Sequence, residues 1–154
     1  MMRSHKLRKA LLIAIGTGFF GACDTQAQEG LSLQMTGQGR FTYFAALDTI
    51  SPMAANLRQL DALQLSEPIE IGSETYIGGW SRWVFDCEAR TAQRLDFSSL
   101  KSDGTRGPAT PTRGQAYPLV AGGDAAELAA VACGEVERRI DARSLQEAIK
   151  LSED

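Results

Sequence analysis

The chain has 154 residues, with 16 lysines and arginines, 19 aspartates and glutamates, one histidine and three cysteines, for a net charge of −3. Hydrophobic residues make up 44%, charged residues 23% and aromatic residues 7%, which suits a globular domain and excludes a disordered, collagen-like or coiled-coil chain. The acidic balance also argues against nucleic-acid binding, because phosphate contacts need clustered lysine and arginine.

The N-terminus carries Arg3, Lys6, Arg8 and Lys9 with no acid, followed by an uncharged run from Ala10 to Ala22. A basic segment ahead of roughly 7–15 apolar residues is the form of a secretory signal. The run is too short for a permanent anchor, which needs about 20. Residues 1–22 are therefore expected to be a signal peptide and the chain to be exported. Phe20-Gly21-Ala22-Cys23 resembles a lipobox, in which Cys23 would be lipidated, with Phe20 departing from the usual leucine. Cleavage after Thr25-Gln26-Ala27 is the alternative. The thiol count favours lipidation: Cys87 and Cys133 make a natural pair, which leaves Cys23 to be explained. Loss of residues 1–22 removes four of the 16 basic residues and none of the 19 acids, leaving a charge near −7. Anionic lipid does not attract such a chain, so membrane contact is expected through the lipid anchor only.

Residues 23–38 are rich in Gln, Thr and Gly and read as a flexible tether, with an early strand possible at its end. The next elements are extended. Arg40–Leu47 places Phe41 and Tyr43 on one side of a strand, and Pro52 and Asn56 punctuate a loop. Leu57, Leu60, Leu63 and Leu65 mix the helical and extended periods; Pro68 and Gly72 bound the segment closely, so it is assigned as strand. Another segment starts at Glu74–Ile77. Trp80–Cys87 is the clearest strand, because Trp83, Phe85 and Cys87 alternate with Arg82, Val84 and Asp86. A short hairpin connection follows, then a partner strand over Gln93–Leu100, a turn at Asp103-Gly104, a loop with Pro108, Pro111 and Gly114, and an extended piece over Ala116–Val120.

At Gly122-Gly123-Asp124 the pattern turns helical. Asp124 with Glu127 three residues on reads as a capping box, opening a helix whose Leu128, Val131 and Ala132 form one stripe. Gly134 either ends this helix or is carried through it. Ser144 with Glu147 forms a second capping box for a short terminal helix in a charged tail, expected to be peripheral. The fold class is thus α+β: an antiparallel β-sheet with a C-terminal helix packed on one face and tethered by a disulfide. The units are a signal peptide (1–22), a tether (23–38), an α+β domain (39–134) and a charged helical tail (135–154).

Catalytic chemistry is scarce. His5, the only histidine, lies in the signal, so Ser-His-Asp or Cys-His catalysis and His-ligated zinc or haem are excluded after cleavage. No phosphate-binding glycine loop is present, and Lys101 and Lys150 are the only lysines left. Asp86 and Asp96 are the one carboxylate pair that a hairpin would bring together, but acids on an acidic surface are usually solvated. A non-enzymatic protein without metal or cofactor is expected. In an exported chain a Cys87–Cys133 disulfide would join the end of a strand to the end of a helix, and no CxxC suggests redox chemistry.

Trp83-Val84-Phe85-Asp86-Cys87, Arg90, Leu95, Asp103-Gly104, Ala125-Ala126-Glu127-Leu128 and Ala132-Cys133-Gly134, in that order and spacing, resemble the surface-adhesin protein E family of exported proteobacterial proteins. The similarity is strongest over residues 80–134 and looser over 40–79. It implies an antiparallel sheet with a helix tethered to one face through Cys87 and Cys133. It also implies adhesion to host matrix or serum proteins, and a homodimer. Fold transfers across such a resemblance better than function.

The expected function is a protein-binding module of the cell envelope, periplasmic or on the outer surface, whose partner is a matrix or envelope protein. Trp80, Arg82 and Arg90 are the candidate contacts, because Trp and Arg are enriched at binding hot spots. A periplasmic accessory or inhibitor is the other reading. Asp24, directly after Cys23, resembles the signal that retains lipoproteins at the inner membrane of enteric bacteria.

Overall fold

The computed structural model describes residues 30–154. The expected signal peptide, Cys23 and residues 24–29 of the expected tether lie outside the described residues.

Eight strands and two helices follow in order: β1 (Leu33–Gln38), β2 (Thr42–Ala54), β3 (Leu57–Ile71), β4 (Glu74–Asp86), β5 (Thr91–Arg94), β6 (Asp96–Lys101), β7 (Thr110–Pro111), β8 (Tyr117–Pro118), α1 (Asp124–Ala132) and α2 (Leu145–Glu153). The sheet is antiparallel throughout and mostly runs as a meander from β1 to β4. One edge of β4 pairs with β3 and the other with β5 and β6 in succession. Leu95, between those two, still donates its backbone N–H to Arg82 O at 2.7 Å, so they act as one interrupted strand. The mixed leucine period of Leu57–Leu65 resolves as strand, because β2 and β4 pair with it on both edges.

Alternation along these strands buries both faces of the sheet. Phe44, Leu63 and Trp80 line up across β2, β3 and β4 on one face, joined by Leu33, Leu65 and Leu100. Ala45, Ala62, Leu60, Trp83 and Phe85 occupy the other. Each face is covered by its own helix. α1 sets Leu128, Ala129, Val131 and Ala132 against the Trp83 face, and α2 sets Leu145 and Ala148 against the Trp80 face. Where β3, β4 and β6 crowd together, Gly78 has φ 149°, and a Cβ there would lie 2.0 Å from Gln64 O. Only glycine fits that approach.

The helix ends are partly as expected. Asp124 is not the cap of α1; Gly123 takes that position, with no side-chain hydrogen bond, and its carbonyl accepts from Ala126 and Glu127 N–H. Asp124 is instead the first helical residue. At the other end Glu135 N–H donates to Ala130 O and Gly134 N–H to Val131 O, with Gly134 at φ 76°. This is the Schellman arrangement, so Gly134 stops the helix. Cys133, the last residue before it, forms the disulfide with Cys87 across a sequence separation of 46.

Two boundaries drawn from the sequence are corrected. The last six residues of the segment expected as tether, Leu33–Gln38, are a strand, where the sequence allows an early one, and Leu33 is fully buried. The tail over 135–154 is not peripheral: Ala142, Leu145 and Ala148 belong to the core. Leu145, Ala148 and Ile149 share one helical stripe, which the surrounding charges obscure in the sequence. Ser144 caps α2 as expected, accepting from Glu147 N–H at 3.2 Å, while the Glu147 carboxylate accepts from Arg143 N–H at 2.6 Å. The tail is stitched to β1 by Leu33 N–H to Ala142 O (2.9 Å), Ala142 N–H to Leu33 O (3.1 Å) and Met35 N–H to the Asp141 carboxylate (2.9 Å).

Two stability measurements follow. Replacing both Cys87 and Cys133 by Ala is expected to lower unfolding free energy in urea by about 4 kcal/mol, from the entropy of the loop the bond closes. Leu145→Ala should cost about 2–5 kcal/mol in the same assay, as for a core leucine, whereas a peripheral tail would give less than about 0.5.

Candidate functional site

The three side chains picked from the sequence do not form one surface. Trp80 is only 4% exposed and lies in the core, with its indole N–H unpartnered, so it presents no face to a binding partner. Its position on β4, opposite Leu63, explains this. Arg90 is exposed at the β4–β5 turn beside the disulfide, in left-handed backbone at φ 55°, and is ion-paired with Glu135. Arg82 is half-exposed and stands in a cleft that the sequence reading did not assemble.

The cleft is built by strand register. Asp61 on β3 faces Arg82 on β4, and Ser98 on β6 faces Trp80. Asp61, Arg82, Asp96 and Ser98 thus share the face of Trp80, beyond the part that α2 covers. The last wall is set by the turn at Asp103-Gly104. Asp103 accepts from Thr105 N–H at 2.8 Å, Gly104 takes φ 86°, and the chain folds back so that Lys101 and Gly107 N–H donate to Thr105 O and Ser99 O. A bridge between Leu100 and Arg106 fixes the return. It lays the Arg106 guanidinium 5.0 Å from the Trp80 ring, a cation–π distance. Gly107 and Ala109 complete a cleft of about 330 Å³.

The charges inside are unequally partnered. Asp96 is nearly buried and fully engaged: one carboxylate oxygen accepts from the Arg82 guanidinium at 2.5 Å and the other from Arg82 backbone N–H at 3.1 Å. Asp61 belongs to no ion pair among the described residues. Desolvation raises its pKa above the usual carboxylate value; Arg106 and Arg82 pull it back, and Asp96 adds to the rise. The carboxylate pair considered from sequence is not brought together. Asp86 accepts from Glu88 and Ala89 N–H in its own turn, four residues along β4 from Arg82 and roughly 13 Å away at about 3.3 Å per residue.

Another cavity, of about 250 Å³, lies against the first turn of α1, lined by Tyr43, Trp83, Arg94, Tyr117 and Asp124. Arg94 lies 6.0 Å from the Trp83 ring and 5.8 Å from that of Phe97, so the cavity already holds its own cation. The Tyr43 hydroxyl is pushed up to about 12, first by burial and then by the Asp124 charge.

Sequence reasoning missed Asp61 and Arg106. Asp61 did leave a signal: it is the lone charge in Leu60–Leu65, in phase with Leu63 and Leu65. Arg106 becomes meaningful only once the turn before it is known to return over β6. Among the described residues no group of His, Cys, Asp and Glu is placed to hold a metal ion. Compared with known proteins, the chain matches no protein-family model, and no curated protein matches it.

Asp61 and Tyr43 give pH tests in different ranges. A raised carboxylate pKa costs stability once pH exceeds the unfolded value, so Asp61→Asn is expected to raise Tm at pH 7 and to leave it unchanged at about pH 3. A raised phenol pKa holds its stability below the unfolded value of 10.0 and loses it as pH climbs towards about 12. Tyr43→Phe should therefore flatten the alkaline loss of Tm measured between those limits.

Proposed function

We propose that the chain is an exported, lipid-anchored, non-catalytic protein-binding module of the cell envelope. The observation that carries this reading is the Cys87–Cys133 disulfide, which suits an oxidising compartment and agrees with the basic and apolar N-terminus. No helix among the described residues is long and apolar enough to cross a membrane, so attachment falls to lipid on Cys23. Binding is favoured over catalysis because Asp86 is spent on a turn and Asp96 on Arg82, leaving neither as a free acid or base. The resemblance to surface-adhesin protein E supports a matrix or serum protein as partner and a homodimer as the assembly. Arg82 and Arg90 remain the contacts for that partner, and Trp80 supports Arg106 from below.

Asp24 favours a second reading, a periplasmic accessory protein held at the inner membrane. Protease treatment of intact cells separates the two. Digestion of the 80–134 segment, with a periplasmic control spared, supports the surface module; protection turns the search to envelope partners. Cys23→Ser is expected to move the protein from the membrane fraction to the soluble one. A mature N-terminus at residue 28, read by mass spectrometry, would overturn the lipid anchor.

A further inference from the structure

The cleft between β3, β4 and the returning loop is lined by two charges of opposite sign, Asp61 and Arg106, that form no ion pair with each other. We propose that it is a binding site for a small zwitterion carrying an ammonium and a carboxylate on one carbon unit, the chemistry of a free α-amino acid. The ammonium docks on the Asp61 carboxylate and the carboxylate on the Arg106 guanidinium.

Asp61 is fixed by β3 register opposite Arg82, and its backbone N–H is engaged by Thr49 Oγ at 2.8 Å. Its carboxylate is partly removed from water without an ion pair, a state that a bound cation relieves. Arg82, opposite Asp61 on β4, is not free to supply the relief, because it spends its guanidinium on Asp96 across the other edge of that strand. Arg106 is the remaining candidate, and it is drawn onto the Trp80 ring instead. Its backbone cannot follow a new partner, because Leu100 pairs with it, and Gly107 packs so closely on Ser99 that a Cβ there would lie 2.5 Å from the hydroxyl. Two poles of opposite sign therefore face a cleft of about 330 Å³, at the small end of ligand pockets.

A lone cation would satisfy Asp61 but be opposed by Arg106 and Arg82. A lone anion would meet the reverse conflict with Asp61 and Asp96. A zwitterion suits both poles and adds no net charge. This inference depends on the cleft alone and stands whether or not the chain is exported or adhesive.

The test uses the full domain, with its disulfide intact, and four probes: glycine, leucine, glycinamide, which lacks the carboxylate, and N-acetylglycine, which lacks the ammonium. Binding is read by tryptophan fluorescence, since Arg106 lies on Trp80, and by calorimetry. Glycine or leucine is expected to bind, with the two blocked compounds weaker by about 10-fold or more, the loss of one charge-assisted hydrogen bond. Asp61→Asn and Arg106→Gln should each reduce zwitterion binding by a similar factor, while Arg113→Gln, outside the cleft, should not. Thermal melts confirm that the variants fold. Equal binding of glycinamide, or no effect of Arg106→Gln, would reduce the site to a simple cation contact and overturn the proposal. So would the absence of any response to glycine and leucine up to about 10 mM.

Discussion

Everything in this molecule depends on a sheet that is apolar on both sides over β2, β3 and β4. Phe44, Leu63 and Trp80 sit across three neighbouring strands on one face, and Ala45, Leu60, Trp83 and Phe85 on the other. A sheet covered on one face only would leave one indole and one phenylalanine ring in water. At about 25 cal/mol per Å² of apolar surface, and 150–250 Å² for an aromatic side chain, each uncovered ring forfeits roughly 4–6 kcal/mol. Two helices are therefore required, and the chain supplies both after the last strand. The disulfide secures the first to the end of β4; backbone hydrogen bonds to β1 secure the second.

That same requirement sets where polar groups can lie. α2 is nine residues long and covers only part of the Trp80 face. Beyond it, the alternation that delivers Leu63 and Trp80 to the core delivers Asp61 and Arg82 to the uncovered remainder. The cleft is what remains of the sheet face when the helix runs out. Its floor is rigid, because Asp96 anchors both the side chain and the backbone of Arg82. Its wall is a short loop folded over an indole by a turn of Asp103 and Gly104.

Legibility followed the range of the forces involved. The Trp80–Cys87 strand, the Asp103-Gly104 turn and the Ser144–Glu147 cap were readable because alternation, turn chemistry and capping act over a few residues. The antiparallel sheet and the Cys87–Cys133 pair followed from those features and from thiol arithmetic. Three features were not readable. Leu145, Ala148 and Ile149 sit among charges, and only the presence of an uncovered sheet face makes them core. Trp80 looked like a contact because tryptophan is a frequent hot spot, yet pairing with Leu63 gives its ring an interior place. The Asp61–Arg106 relation needs register and a returning loop at once, so no local rule reaches it.

The stitching of β1 to the last stretch of chain also orders events in time. Synthesis delivers residues from the N-terminus, so β1 to β4 and both cysteines are complete before Asp141, Ala142 and α2 exist. α1 can close its own side of the sheet early. The opposite side, with Phe44, Leu63 and Trp80, stays open until the final turn of helix arrives, and β1 keeps an unpaired outer edge for the same interval. Residues 141–153 thus complete the fold: the face of Phe44, Leu63 and Trp80 is covered only once they have been added.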